Sequence, residues 1–165
     1  MQWFRFAVFV LVAAVLQASL ADIVAVTSLN IKPDLLLILL VFFAIYCNTF
    51  EAIISSFVIG FAADIIMVGS PMGPRIIGFG LFGTALAYLS HVVTIKKMPY
   101  QSIAIFITAV LAGTLAYLLA SFRGQPTTSN VYAFIFGTSL YSSFVGPFLF
   151  LPSAWWMRIK ADRLN

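Results

Sequence analysis

Polar residues are scarce along this chain and fall in bunches, so long apolar runs alternate with short polar punctuation. The runs predict six helices, near residues 4–26, 33–48, 51–69, 75–95, 100–121 and 131–152, each of the length and character of a membrane span. In lipid a helix satisfies its own backbone, and the period-two alternation that a membrane barrel requires is missing. The boundary hardest to place lies between the second and third runs, where only Asn48, Thr49 and Glu51 interrupt residues 35–69. One unbroken helix there would reach about 50 Å at ~1.5 Å per residue, against a hydrocarbon core of about 30 Å. A tight turn at Asn48–Glu51 resolves the excess.

Composition turns the pattern into a class. The 165 residues are 62% hydrophobic and 8% charged, with a mean hydropathy of +1.08, whereas a soluble domain carries about 25% charged residues. The expected fold is an all-α integral membrane protein, six transmembrane helices in one compact bundle, with no stretch left over for a separate soluble domain. Cys47 is the single cysteine and His91 the single histidine. They exclude an internal disulfide and a zinc-type cluster, and each reads as a packing or interface residue near a helix end.

The nine Lys and Arg residues lie at the ends of the runs rather than in a stripe, so the net charge of +4 is a topology signal and does not indicate nucleic acid. Arg5, Lys96, Lys97, Arg158, Lys160 and Arg163 fall on one side; Lys32, Arg75 and Arg123 fall on the other. Six against three places both termini in the cytoplasm by the positive-inside rule. Trp3, Trp155 and Trp156 fit aromatic anchors at the same interface. Arg5, the apolar run and Ser19-Leu20-Ala21 also fit a signal peptide and its cleavage site. The apolar character continuing beyond Ala21 and the same-side termini favour a retained first span.

Soluble-enzyme signatures are absent: no phosphate loop, no H-E-x-x-H and no G-x-S-x-G. Gly78-x-Gly80-x-x-Gly83 has the spacing of a dinucleotide fingerprint but lies inside a predicted span with no preceding strand, so close helix packing explains it better. The same packing logic marks Ala112, Ala116 and Ala120 in the fifth run. In the third run Ala52, Ser56, Gly60 and Asp64 form a small-residue stripe with an acid at its end. The 17 Phe residues read as lipid-facing and core side chains, without the convergent polar set that would orient a ligand.

Asp64 is the most pointed chemical feature. An acid inside a span costs about 2.5–3.5 kcal/mol on insertion scales and usually faces protein or water. It lies about 13 residues, or ~20 Å, from the start of the third span at Glu51, near the outer mouth of the bundle. There Arg75 is a candidate charge partner, and backbone amides around Gly69-Ser70 are candidate donors. A pinned turn is the favoured reading over a transported-ion or catalytic role. Asp22 reads as an interfacial residue within reach of Lys32, and Lys32-Pro33-Asp34 as a helix start, with proline in the first turn and the acid at the positive end of the dipole.

Pro33-Asp34 opening a Leu-rich helix, Gly60-Phe61, Asp64, and the Gly69-Ser70-Pro71-x-Gly73 turn leading into a glycine-containing helix resemble the MreD family of rod shape-determining proteins. Hydropathy and layout carry the likeness along nearly the whole chain; the motifs are confined to residues 32–90 or so. The resemblance marks Pro33, Asp34, Gly60, Asp64, Gly69, Pro71 and Gly73 as family positions, none of them catalytic. It implies a non-enzymatic scaffold of the bacterial inner membrane without cofactors, working in the cell-elongation machinery with MreC, MreB, RodA and a class B transpeptidase. It also implies a fold similar to the S subunits of energy-coupling-factor transporters. The alternative is therefore a solute-binding subunit of a vitamin-type transporter, which would need an outward-facing cavity with several polar groups.

Overall fold

The computed structural model describes residues 3–20, 33–66, 73–92, 98–122 and 131–157. These form α1 (Trp3–Leu20), α2 (Leu35–Tyr46), α3 (Thr49–Ile66), α4 (Pro74–Val92), α5 (Met98–Phe122) and α6 (Val131–Met157). The number and order of helices are those read from the apolar runs, with a break at Cys47-Asn48 between α2 and α3. Thr49–Ile66, Pro99–Phe122 and Val131–Ser153 are long and apolar enough, by length and composition, to cross a membrane. The last helix continues through Pro147 and Pro152, further than the run near 131–152 suggested. Internal prolines are tolerated in apolar helices whose freed carbonyls find partners among neighbouring groups.

Neighbouring helices run in opposite directions. Gly60 of α3 faces Ile76 and Phe79 of α4, and Ser56 faces Gly83, so residue numbers rise on one helix as they fall on the other. Gly113 against Ile135 and Ile105 against Gly146 show the same relation between α5 and α6. By contrast α2 lies parallel to α6. Asp34 bonds to Ser142, 108 residues on, and the pairs Ile38 with Gly146 and Phe42 with Phe150 repeat that offset at one-turn intervals.

The second run, expected as a span near 33–48, is the most enclosed of the helices. It folds as a helix of 12 residues, about 18 Å long, and ten of those residues are buried. Leu36, Leu40, Val41, Phe42 and Phe43 have no exposed surface at all. An all-round hydrophobic helix suits a protein interior as well as it suits lipid. Here the other helices supply the apolar surroundings: α2 packs against each of α1, α3, α4, α5 and α6.

One end of this central helix is held by rings. Phe6 stacks edge-on against Phe43 at 5.0 Å between centroids, and Phe42 meets Tyr46 at 5.0 Å and Phe150 at 5.4 Å. The polar tip of Tyr46 accepts a 2.8 Å bond from Gln101 Nε2, which links α2 to α5. Trp3 and Trp155 stand exposed on α1 and α6, near the ring-lined end. The other end of α2 is held by polar groups.

Candidate functional site

The start of α2 is buried, so its first N–H groups need protein partners. Asp34 is the N-cap: its Oδ1 accepts from Leu37 N at 3.1 Å, and its backbone carbonyl accepts the first helical bond from Ile38. Leu36 N, one residue earlier, donates to Gln17 Oε1 of α1 at 3.0 Å. Gln17 Nε2 in turn donates to Asp34 Oδ1 at 3.2 Å, and the Asp34 N–H donates to Ser142 Oγ of α6 at 2.9 Å. Pro33 precedes the cap rather than filling the first helical position.

A second cap lies beside it. The carbonyl of Gly73 accepts from Ile77, so Gly73 is the N-cap of α4, with a φ of 125° that favours glycine. Pro74 follows at the first helical position, where a missing N–H costs nothing. A glycine cap has no side chain to offer, and Asp64 of α3 supplies one instead. Its Oδ2 accepts from Gly73 N at 2.9 Å and Ile76 N at 3.1 Å, and its Oδ1 accepts from Arg75 N at 3.2 Å. Asp64 is 4% exposed. The carboxylate thus does across two helices what a capping box does within one, at the positive end of the α4 dipole.

Arg75 joins the two caps. A candidate charge partner of Asp64 by sequence, it gives Asp64 its backbone N–H, while its guanidinium turns to Asp34, with Nη1 3.4 Å from Oδ2. The reason is local geometry: the Asp64 oxygens are occupied by backbone donors, while Asp34 stands across the gap from the start of α4. The donors expected around Gly69-Ser70 lie outside the described residues, as do Pro71, Asp22 and Lys32; the donors observed come one turn later.

The small-residue stripe of α3 is buried along its length: Ala52 and Ser56 are inaccessible, and Gly60 lies where a Cβ would come within 2.9 Å of Ile76 Cα. Gly78, Gly80 and Gly83 are contact points, toward Ala112, Phe57 and Ser56 respectively. The α5 alanines divide. Ala112 is buried against Gly78, Ala116 lines a cavity, and Ala120 is half-buried. Ala116 is one turn past the Gly78 contact and level with the first residues of α4, so beyond it α5 has outrun its α4 neighbour.

Two members of the polar junction, Gln17 and Ser142, were not singled out from sequence. Gln17 is an isolated amide in an apolar run, which is a usable signal. Ser142 is one of several serines in α6, and only the parallel register with α2 distinguishes it.

The described residues thus form a helical membrane bundle whose buried carboxylates cap helices, and they contain no group of three or more His, Cys, Asp or Glu placed to hold a metal. The family model for rod shape-determining protein MreD matches residues 1–159, and the chain belongs to that family. No curated protein and no solved structure matches it.

Proposed function

We propose that this protein is a non-enzymatic scaffold of the cell-elongation machinery, binding the membrane segment of MreC and, through it, MreB, RodA and a class B transpeptidase. The family's role is rod shape determination. The observation that carries the scaffold reading is the use of Asp64: this buried acid of α3 has both oxygens committed to backbone N–H groups. Its work is to fix the α3–α4 pair in one shape. A rigid apolar bundle offers a partner a fixed helix surface, the form of recognition that operates within lipid.

The test is co-purification with MreC from membranes, coupled to depletion in rod-shaped cells. Retention of MreC and rounding of the cells are expected. Normal rods after clean deletion, or no MreC retained by the intact protein, would refute the reading.

We further propose six crossings of the bacterial inner membrane with both ends cytoplasmic, supported by the alternating helix directions and the six-to-three division of Lys and Arg. A fluorescent protein fused after Asn165 should then fluoresce and alkaline phosphatase at the same position should be inactive. An active phosphatase there excludes this topology.

A further inference from the structure

Beside the Arg75–Asp34 pair, between α2, α4, α5 and α6, lies a cavity of about 190 Å3. Its walls are mainly apolar, with Leu37, Phe79, Ala112, Ala116, Phe134 and Ile135 among them. Five polar side chains interrupt that lining: Asp34, Arg75, Tyr117, Thr138 and Ser139. Ser142, which bonds to Asp34 N, is 11 residues from the start of α6 at Val131, so Asp34 lies roughly 16 Å below that helix end.

The hydrogen-bond accounting at this polar wall is lopsided. Asp34 is well supplied: its oxygens accept from Leu37 N, Gln17 Nε2 and Arg75 Nη1. Arg75 is not. A guanidinium carries five N–H donors, and among the described residues its one side-chain bond is the 3.4 Å contact to Asp34. Arg75 is 20% exposed and Asp34 12%, so the pair is only partly open to water. Thr138 Oγ1 is buried and has no hydrogen-bond partner. Buried polar groups are normally satisfied, and a guanidinium with idle donors in an apolar setting is costly. The surplus at this wall is on the donor and cationic side.

We propose that the cavity binds a single apolar chain ending in an anionic oxygen group, a carboxylate or phosphate, with the oxygens on Arg75 and the chain between α5 and α6. A neutral apolar occupant leaves the spare Arg75 donors unsatisfied, and a cation finds Asp34 oxygens that already accept from Leu37, Gln17 and Arg75. The planar donor fork suits carboxylate and phosphate oxygens. Size limits the occupant as well: a 150 Å3 apolar cavity holds about one benzene, so this one takes the head and the first methylenes of a chain, the rest lying outside. The inference goes beyond the scaffold reading and stands without it.

The test uses the full chain in nanodiscs of zwitterionic lipid and native mass spectrometry, with three probes: dodecyl phosphate, dodecanol and inorganic phosphate. Dodecyl phosphate should bind one per chain and saturate. Dodecanol should bind at least roughly tenfold more weakly, the scale of losing charged hydrogen bonds, and inorganic phosphate should not be retained. Arg75→Gln should weaken dodecyl phosphate by roughly tenfold or more. Because Arg75→Gln also loosens the Asp34 contact, Ala116→Phe provides the independent arm: it fills the cavity from α5, leaves both charged groups in place, and should abolish saturable binding. Equal binding of dodecanol and dodecyl phosphate, retention of inorganic phosphate alone, or undiminished binding by Ala116→Phe would each overturn the proposal.

Discussion

Asp64→Ala is expected to destabilise the protein by about 2–4 kcal/mol, the cost of leaving several buried backbone donors without an acceptor. Three N–H groups, from Gly73, Arg75 and Ile76, converge on this one carboxylate. Gly73 has no side chain with which to replace it. Asp64→Asn should be milder, by about 1–2 kcal/mol relative to wild type. Its carbonyl can take the place of Oδ2, which serves both Gly73 and Ile76, while its amide nitrogen meets the Arg75 N–H and loses that bond. The order alanine worse than asparagine worse than wild type is therefore the signature of a cap. Thermal midpoints of the detergent-purified protein, with membrane expression levels alongside, read it directly. An alanine variant with a wild-type midpoint would remove Asp64 from the account of how α3 and α4 are held. Equal losses for both variants would point to charge rather than hydrogen bonding.

Adding a methyl group at Gly60 or Gly83 is the second large effect, and the two positions should behave differently. At Gly60 a Cβ would lie 2.9 Å from Ile76 Cα, 3.1 Å from Phe79 Cβ and 3.2 Å from the Arg75 carbonyl oxygen. Two of these are backbone atoms in the first turn of α4, the turn that Asp64 caps. Gly60→Ala must push the helices apart, at a cost of about 1–3 kcal/mol, and no side-chain change opposite can relieve it. At Gly83 the obstruction is the Ser56 side chain, whose Cβ would be 2.7 Å from the new atom. Ser56→Gly opens that space at a helix-propensity cost of about 1 kcal/mol. The double variant Gly83→Ala with Ser56→Gly should then be more stable than the sum of its singles by about 1–2 kcal/mol. A double-mutant cycle monitored by unfolding in mixed detergent measures the coupling. Strict additivity at Gly83 would mean that the two helices do not meet there.

Much of this site could be read along the chain because its parts are local. The stripe Ala52, Ser56, Gly60, Asp64 has a four-residue period that places all four on one helix face, and the proline and glycine before Arg75 announce a helix start. What periodicity cannot carry is partner choice. Arg75 is 11 residues from Asp64 and 41 from Asp34 in sequence, and proximity along the chain favours the wrong acid. The outcome depends on which carboxylate is already occupied by backbone donors, a fact of three-dimensional accounting. The buried state of α2 was hidden for a related reason: Leu and Phe on every face satisfy lipid and protein interior equally. The polar groups that mark its enclosure, Gln17 and Ser142, belong to other helices. The cavity was invisible from sequence because Ala116 looks the same whether a helix packs on it or stops one turn short.

The parallel register of α2 with α6 has a consequence for biogenesis. During synthesis residues 35–46 leave the ribosome long before residues 131–157, and while they wait, α1, α3, α4 and α5 can cover part of their surface, but the side that α6 covers has only lipid or insertion machinery for company. Ser142, Gly146 and Phe150, the groups that complete their surroundings, are made after α1 to α5. A chain that stalls before α6 is left with an unfinished interior facing the bilayer, a state that membrane proteases can distinguish from the finished protein. Insertion proceeds helix by helix, but the centre closes only when α6 arrives.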